Sequence, residues 1–276
     1  MNQKTMVITG ATSGIGLRMA HTLAESGAPL VLVARTPERG EEAAAAITAT
    51  TGNRDIEVVG IDLGNRVAIR SGAAQIVKRH PRIDVLVNNA GLQSRQRRET
   101  SEGVELVWTT NVLAPFLLTN LLRPALEAAG NARIVTTASS FAGDLDLDDV
   151  EFRRRPYSAM ASYRQSKQAN RMWTWALAWR LKGTGVTANT FNPGLVRKTG
   201  LYRETPAPVR AILFFVGLRH GRTVEQGADT GSWLATSSDV QGISGRFYEQ
   251  RREMPCEFRD ETAEEKLWSL CERMTS

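Results

Sequence analysis

Short β-branched runs alternate with longer amphipathic stretches along this 276-residue chain. The strand-like runs are Met6–Gly10, Leu30–Ala34, Ile56–Ile61, Ile83–Asn88, Arg133–Ala138, Val186–Asn192 and Gly245–Tyr248, with helical patterns near 15–27, 37–50, 65–79, 102–128, 157–182, 224–236 and 262–273. Successive parallel strands cannot be joined by a tight turn and need a crossover, usually a helix. The alternation therefore predicts an α/β chain with a parallel sheet of about seven strands and helices on both faces. Right-handed crossovers make such a sheet doubly wound. Ligands then bind beyond the carboxyl ends of the strands, where the strand order reverses. No repeat or low-complexity linker interrupts the pattern, and the length suits one large core, so residues 1–276 are expected to form a single domain.

Composition narrows the class. Hydrophobic residues make up 42% and charged residues 23%, the balance of a folded soluble chain rather than a disordered one. The longest uninterrupted apolar stretch, Ala211 to Leu218, is far short of the ~20 residues a membrane span needs. The chain enters its first strand without a charged-then-apolar leader, so no secretory signal is expected. Two cysteines, Cys256 and Cys271, exclude a disulfide scaffold and suit a reduced, cytoplasmic setting. His21, His80 and His220 lie far apart without partners at metal spacing, and no metal site is expected. The net charge of +6 raises the question of nucleic acid. Arginine supplies 29 of the 35 positive charges, mostly spread singly. The clusters at Arg95/Arg97/Arg98, Arg153-Arg154-Arg155 and Arg251-Arg252 lack the interleaved aromatics of a single-strand binder. A solvated surface or a small anionic ligand is the better reading, and no nucleic-acid partner is expected.

Thr9-Gly10-Ala11-Thr12-Ser13-Gly14-Ile15-Gly16 stands directly after the first strand and opens the first helix. Gly10 permits a tight turn, Gly14 lets backbone approach a pyrophosphate, and Gly16 allows close packing of helix on strand. The free N–H groups and positive end of that helix favour the anion. A glycine-rich turn alone is a weak signal; its place between strand and helix raises its weight. The expectation is a Rossmann-type dinucleotide site.

Three residues separate the first two glycines, and with this spacing the chain begins to resemble the short-chain dehydrogenase/reductases. Gly10-x-x-x-Gly14-Ile15-Gly16, Asn88-Asn89-Ala90-Gly91, Asn111, the Ser139-Ser140 pair, Tyr163-Arg164-Gln165-Ser166-Lys167 and Pro193-Gly194 follow in the family's order. The likeness runs from Thr5 to about Met274 and is strongest toward the retinol-dehydrogenase-like branch. It is carried there by Thr100-x-Glu102-Gly103-Val104-Glu105, Phe116-Leu117-Leu118-Thr119-Asn120-Leu121-Leu122, Gly183-Thr184-Gly185-Val186 and the ending Ala263 to Leu270. The resemblance implies hydride transfer between a nicotinamide dinucleotide and the carbonyl/alcohol pair of a hydrophobic small molecule. It implies cofactor contacts from Gly10, Thr12, Ser13, Gly14, Ile15, Gly16, Asp62, Leu63, Asn89, Ala90, Gly91, Pro193, Gly194, Val196 and Thr199. It also implies that Asn111 sits in a kinked helix and anchors a water relay to Lys167, which itself binds the nicotinamide ribose.

Tyr163 and Lys167 are four residues apart, so on a helix they share a face. A free tyrosine ionises near pH 10, and lowering that by ~3 units needs about 4 kcal/mol from a neighbouring cation. Tyr163 then serves as acid in reduction and as base in oxidation. Tyr157, Tyr202 and Tyr248 have Ala161, Pro206 and Arg252 at the same offset, so only Tyr163 has a lysine there. Ser140 is preferred to Ser139 as the hydrogen-bond donor to the substrate oxygen, because it stands three residues before Gly143 in the family's Ser-x-x-Gly arrangement. The Trp173, Trp175 and Trp179 cluster reads as helix packing or a subunit contact.

Coenzyme choice turns on the end of the second strand, Val33-Ala34-Arg35-Thr36, which has no acid until Glu38. An acid there suits the ribose 2′-hydroxyl of NAD, whereas arginine accommodates a 2′-phosphate, so Arg35 points to NADP(H). An enlarged loop, Asp144 to Pro156, separates Ser140 from Tyr163; its acidic start lacks the glycine turn and terminal Glu of a calcium loop. Pro193-Gly194-Leu195-Val196-Arg197-Lys198-Thr199 carries one residue more than the family spacing before the threonine that meets the carboxamide. Residues 200–222 are expected to form a substrate lid. Within it, 211–218 reads as an apolar substrate wall, a peripheral membrane contact or a subunit contact. The rival to an enzyme is a non-catalytic dinucleotide-binding regulator of the same fold.

Overall fold

The computed structural model describes residues 4–197 and 221–276. β1 (Met6–Thr9), β2 (Leu30–Ala34), β3 (Ile56–Gly60) and β4 (Val85–Asn88) alternate with α1 (Gly14–Ala24), α2 (Pro37–Thr51) and α3 (Arg66–Arg79). A long helix follows in three parts: α4 (Leu106–Trp108), a π-helical turn (Thr109–Leu113) and α5 (Ala114–Glu127). The remainder is β5 (Arg133–Thr137), α6 (Ala159–Arg180), β6 (Thr187–Asn192), α7 (Val224–Thr236), β7 (Phe247–Glu249), β8 (Arg252–Glu253) and α8 (Glu261–Thr275).

The strands form one sheet in the order β3-β2-β1-β4-β5-β6-β7-β8. Seven are parallel, as the alternation predicts. The eighth, β8, returns antiparallel along β7 through Tyr248↔Glu253 and Glu249↔Arg252. Two exposed residues carry no periodic signal, which is why the sequence shows about seven strands rather than eight.

Alternation along each strand divides the core. Val7, Val31, Val33 and Val59 face α3, α5, α6 and α8. Met6, Ile8, Leu30 and Leu32 face α1, α2 and α7. Both faces are covered, so β1, β2 and β4 are buried throughout and read as continuous apolar runs. The strand order reverses between β1 and β4, in the register Met6↔Val85, Val7↔Leu86, Ile8↔Val87. A crevice must open above that pair, because the crossovers leaving β1 and β4 diverge to opposite sides.

The enlarged loop is tied to the fold by its own charges. Asp149 is buried and accepts the backbone N–H groups of Arg153 (2.7 Å), Arg154 (3.1 Å) and Arg155 (3.0 Å). Arg155 donates to Gln165 Oε1 (2.6 Å), and Gln165 Nε2 donates back to the Val150 carbonyl (2.7 Å). Gln168 Oε1 takes the N–H of Leu145 (3.1 Å). The acidic stretch thus caps its own turn and fastens it to α6.

Trp173 and Trp175 are buried packing residues of α6, whereas Trp179 is 64% exposed. The C-terminal helix closes this side: the Trp268 ring meets Phe116 edge-on at 4.7 Å, and Phe116 meets Trp173 at 6.1 Å. Trp268→Ala is expected to destabilise the protein by about 3–5 kcal/mol, the range for losing a large buried ring. Denaturant unfolding measures it; a loss under about 1 kcal/mol would show that α8 is not part of the core.

Candidate active site

Above the β1–β4 junction lies a cleft of about 540 Å³. Its walls include Gly10, Thr12, Ser13, Gly14, Ile15 and Gly16 from the first turn and Arg35, Asp62 and Leu63 from the ends of β2 and β3. Asn89, Ala90 and Gly91 after β4, Tyr163 and Lys167 on α6, and Pro193 after β6 complete the sequence-predicted residues found there.

The glycines are required by space and by backbone. Gly10 and Gly14 have φ of 68° and 55°, in the left-handed region that favours glycine. A Cβ on Gly16 would fall 2.1 Å from the Gly10 carbonyl oxygen and 2.3 Å from Asn89 Nδ2. Gly16 therefore admits the turn and the Asn89 side chain against α1. Ser13, the N-cap of α1, makes no side-chain capping bond, and the first turn carries no acid. Its N–H groups are left for an anion, and the cradle fits the pyrophosphate of a dinucleotide.

Thr9 organises this floor, a role the sequence did not reveal. Its Oγ1 accepts the N–H groups of Asn89 (3.0 Å) and Ala90 (3.0 Å). In return Asn89 Nδ2 donates to the carbonyls of Thr9 (3.2 Å) and Gly10 (3.4 Å). The available signal was a hydroxyl residue closing an otherwise apolar strand.

α6 carries the titratable pair. Ser158 caps it by accepting the Ala161 N–H (3.3 Å). One turn in, Tyr163 is half-buried, and a further turn on Lys167 is 4% exposed. Lys167 Nζ donates to the Thr137 carbonyl (3.1 Å) and lies 5.6 Å from the centre of the Tyr163 ring. Burial pushes the Lys167 ammonium down to about 8. That is low for a lysine, yet still largely charged at neutral pH.

Asn111 sits fully buried in the π turn, the kink the family resemblance implies. Its Oδ1 accepts the Leu92 N–H (2.8 Å), and its Nδ2 donates to the Leu92 carbonyl (2.9 Å) and to Ser166 Oγ (3.1 Å). A Cβ on Gly91 would lie 3.4 Å from Asn111 Oδ1 and 3.6 Å from Lys167 Nζ. The π turn, the β4 loop and α6 thus converge on one point beside the cleft.

The two serines are separated by their partners. Ser139 Oγ is engaged by the Phe141 N–H (3.0 Å), and the Ser139 carbonyl accepts from the Arg171 guanidinium. Ser140 is exposed.

Several expected contacts lie off the cleft wall. Ser140, Asn111, Gly194 and Val196 are not among its lining residues. The Val196 side chain is buried: Val196 forms a parallel bridge with Arg222, and a Cβ on Gly227 of α7 would fall 2.5 Å from it. Gly194 has φ of 77° and packs against Arg222. Thr199, the 211–218 segment and most of the expected lid lie outside the described residues. Conversely, Arg39 lines the cleft with Arg35, as do Thr137 and Ala138. Arg39 was legible as a second arginine in the first turn of α2. Neither Arg35 nor Arg39 is paired with a carboxylate among the described residues. Among those residues no helix is long and apolar enough to cross a membrane.

The comparisons agree with this geometry. Residues 4–209 match the family described as short chain dehydrogenase. The chain is 34% identical to human (Homo sapiens) Retinol dehydrogenase 14, over 99% of this chain and 87% of that protein. A crystal structure of an uncharacterized protein from Mycobacterium Paratuberculosis superposes with a TM-score of 0.77 at 30% identity, covering 99% of this chain and 93% of that one. L-Sorbose reductase from Gluconobacter frateurii, solved with NADPH and L-sorbose, gives a TM-score of 0.71 at 26% identity, over 90% of this chain and 95% of that one. With its fold, glycine turn and α6 pair in the family's arrangement, the chain belongs to the short chain dehydrogenases, in their retinol-dehydrogenase-like branch.

Proposed function

We propose that this protein is an NADP(H)-dependent oxidoreductase acting on the carbonyl/alcohol pair of a hydrophobic small molecule, with all 276 residues forming one catalytic domain. The observation that carries the reading is the buried Lys167 ammonium beside the Tyr163 ring at the cleft wall. A buried cation that is not ion-paired is costly, and a fold retains one where its charge is used. When bound, the nicotinamide dinucleotide supplies or accepts the hydride. Tyr163 gives its phenolic proton to the carbonyl oxygen in reduction and takes the alcohol proton in oxidation. Lys167 opposes the negative charge that gathers on the Tyr163 oxygen, and its Nζ would also hold the ribose hydroxyls of a bound nicotinamide dinucleotide. Ser140 donates to the substrate oxygen and so orients it. Asn111 holds Leu92 and the Lys167 side of the cleft in place for the proton relay.

Arg35 at the β2 end and Arg39 in the first turn of α2, both lining the cleft with no carboxylate partner among the described residues, support a 2′-phosphate and hence NADP(H). Exposed Phe141 and Met160, next to Ser140 and one turn before Tyr163, support an apolar substrate wall. The L-sorbose reductase structure holds NADPH, and the human relative is named for retinol; both names favour a carbonyl/alcohol pair here. A dinucleotide-binding regulator has no use for the Tyr163–Lys167 pair. NADPH binding without turnover on any carbonyl or alcohol of a broad panel would favour it over the enzyme.

Tyr163→Phe is expected to keep the fold and NADPH affinity while losing at least ~100-fold in turnover. Near-normal turnover removes Tyr163 from the mechanism. Lys167 gives a pH signature of defined sign. Its folded pKa, about 8, lies below the unfolded lysine value, so the unfolded chain binds more protons between the two. The penalty for burying the ammonium is complete below pH 8 and is relieved as pH rises toward 10.5. Lys167→Met removes that penalty, so its stability relative to wild type should fall by roughly 3 kcal/mol from pH 7 to 10.5. A difference independent of pH in denaturant unfolding contradicts it. For Arg35, a lost charged hydrogen bond weakens NADPH binding by about one to two decades in Arg35→Ala and leaves NADH unchanged. Arg35→Asp should reverse the preference by repelling the phosphate. Titration calorimetry of both coenzymes checks it; equal losses for both defeat the NADP(H) assignment.

A further inference from the structure

Lys167 is not the sole buried cation on α6. Arg171, one turn further along, is 4% exposed and has no carboxylate at ion-pair distance among the described residues. Its guanidinium carbon lies over the Phe247 ring, 3.6 Å from the centre, with Phe258 at 5.4 Å. Its Nη2 donates to the Ser139 carbonyl, while its Nε is buried without a hydrogen-bond partner among the described residues. Burial depresses the guanidinium below its ordinary value, the mark of a desolvated cation. An aliphatic side chain would fill the same space without that penalty, so the hydrogen bond needs a use.

The place of the acceptor supplies one. The β5–β6 ladder ends where the Ala138 N–H donates to the Phe191 carbonyl (2.8 Å). Beyond it the Ser139 carbonyl has left the ladder. Lys167 and Arg171, four residues apart on α6, donate to the carbonyls of Thr137 and Ser139, two residues apart on the strand end. These two bonds hold the last residue of β5 and the turn beyond it against α6. The second bond fixes the Ser139–Ser140 peptide, and the Ser139 side chain, held by Phe141 N–H, closes the turn from the other side.

We infer that Arg171 is a positioning residue that sets Ser140 in register with Tyr163 by holding the Ser139 carbonyl. The inference rests on the proposed role of Ser140 in catalysis. Arg171 touches neither substrate nor cofactor; it acts through the peptide bond that precedes Ser140.

A double-mutant cycle on the full chain tests it, with NADPH oxidation followed over straight-chain aldehydes of four to twelve carbons and retinaldehyde. The aldehyde giving the highest wild-type kcat is used throughout. Arg171→Met keeps the stem and removes the donors; kcat should fall at least ~10-fold with the Kd of NADPH unchanged. Ser140→Ala should lower kcat by ~100-fold or more, and the double variant should be no slower than Ser140→Ala alone. Arg171→Lys, whose ammonium reaches the same carbonyl, should recover most of the lost kcat. A normal kcat in Arg171→Met overturns the inference, as do losses that multiply in the double variant, the result for a merely structural residue. Should Arg171→Met fail to bind NADPH, Arg171→Lys carries the cycle: its residual loss must vanish in the Ser140→Ala background, and persistence overturns the inference. If Ser140→Ala is fully active, or no aldehyde is turned over, the proposed function itself fails and the inference falls with it.

Discussion

The site depends on a brace of hydrogen bonds at the β1–β4 junction. Thr9 ends β1 with a hydroxyl that takes two N–H groups from the start of the β4 loop, and Asn89 returns two bonds to the glycine turn. Neither strand end has a ladder partner beyond this point, so these side-chain bonds replace the missing sheet. They hold the glycine turn against the β4 loop closely enough that Gly16 has no room for a methyl group. The opening of α1, the residues from Asn89 to Gly91 and, through Gly91, the Asn111–Lys167 corner all take their positions from this junction.

The opposite wall is organised by α6. Four of its buried polar residues each reach a different part of the chain: Gln165 the enlarged loop, Ser166 the π turn, Lys167 β5 and Arg171 the turn beyond it. The same helix packs into the core through Ala169, Trp173, Trp175 and Leu177, so its polar groups hold the loops from a fixed base. It explains why a loop as long as 144–156, which separates Ser140 from Tyr163 in sequence, leaves both at the same end of the sheet. The loop is fastened to the helix that carries Tyr163, so its length does not loosen the site.

Most of the fold was legible because both faces of the sheet are covered, and a doubly covered parallel strand advertises itself as an apolar run. Gly10, Gly14, Tyr163 and Lys167 were legible through spacing, which survives translation into geometry: i and i+4 on a helix, a turn between strand and helix. What was not legible depends on contacts between distant residues. Thr9 is an ordinary strand residue until Asn89 is placed beside it. Arg171 is one arginine among many until Ser139 is seen to leave the ladder. The packing of the Val196 side chain against α7 depends likewise on distant residues, Arg222 and Gly227. β8 was too short to leave any pattern.

The π turn at Thr109–Leu113 has a consequence for how the helix can vary. Such a turn holds one residue more than the α-helical turn it replaces. Deleting a single residue within it would restore a regular helix and remove the widened turn that sets Asn111 beside Leu92 and Ser166. The core face of α5, with Phe116, Leu118 and Leu122, and the capped start of α4 at Glu105 thus keep their faces although one residue more lies between them than a regular helix would take. Substitutions within this stretch leave that phase intact, whereas length changes shift Asn111 or the core face. The segment from Glu105 to Leu122 should tolerate changes of identity far more readily than changes of length.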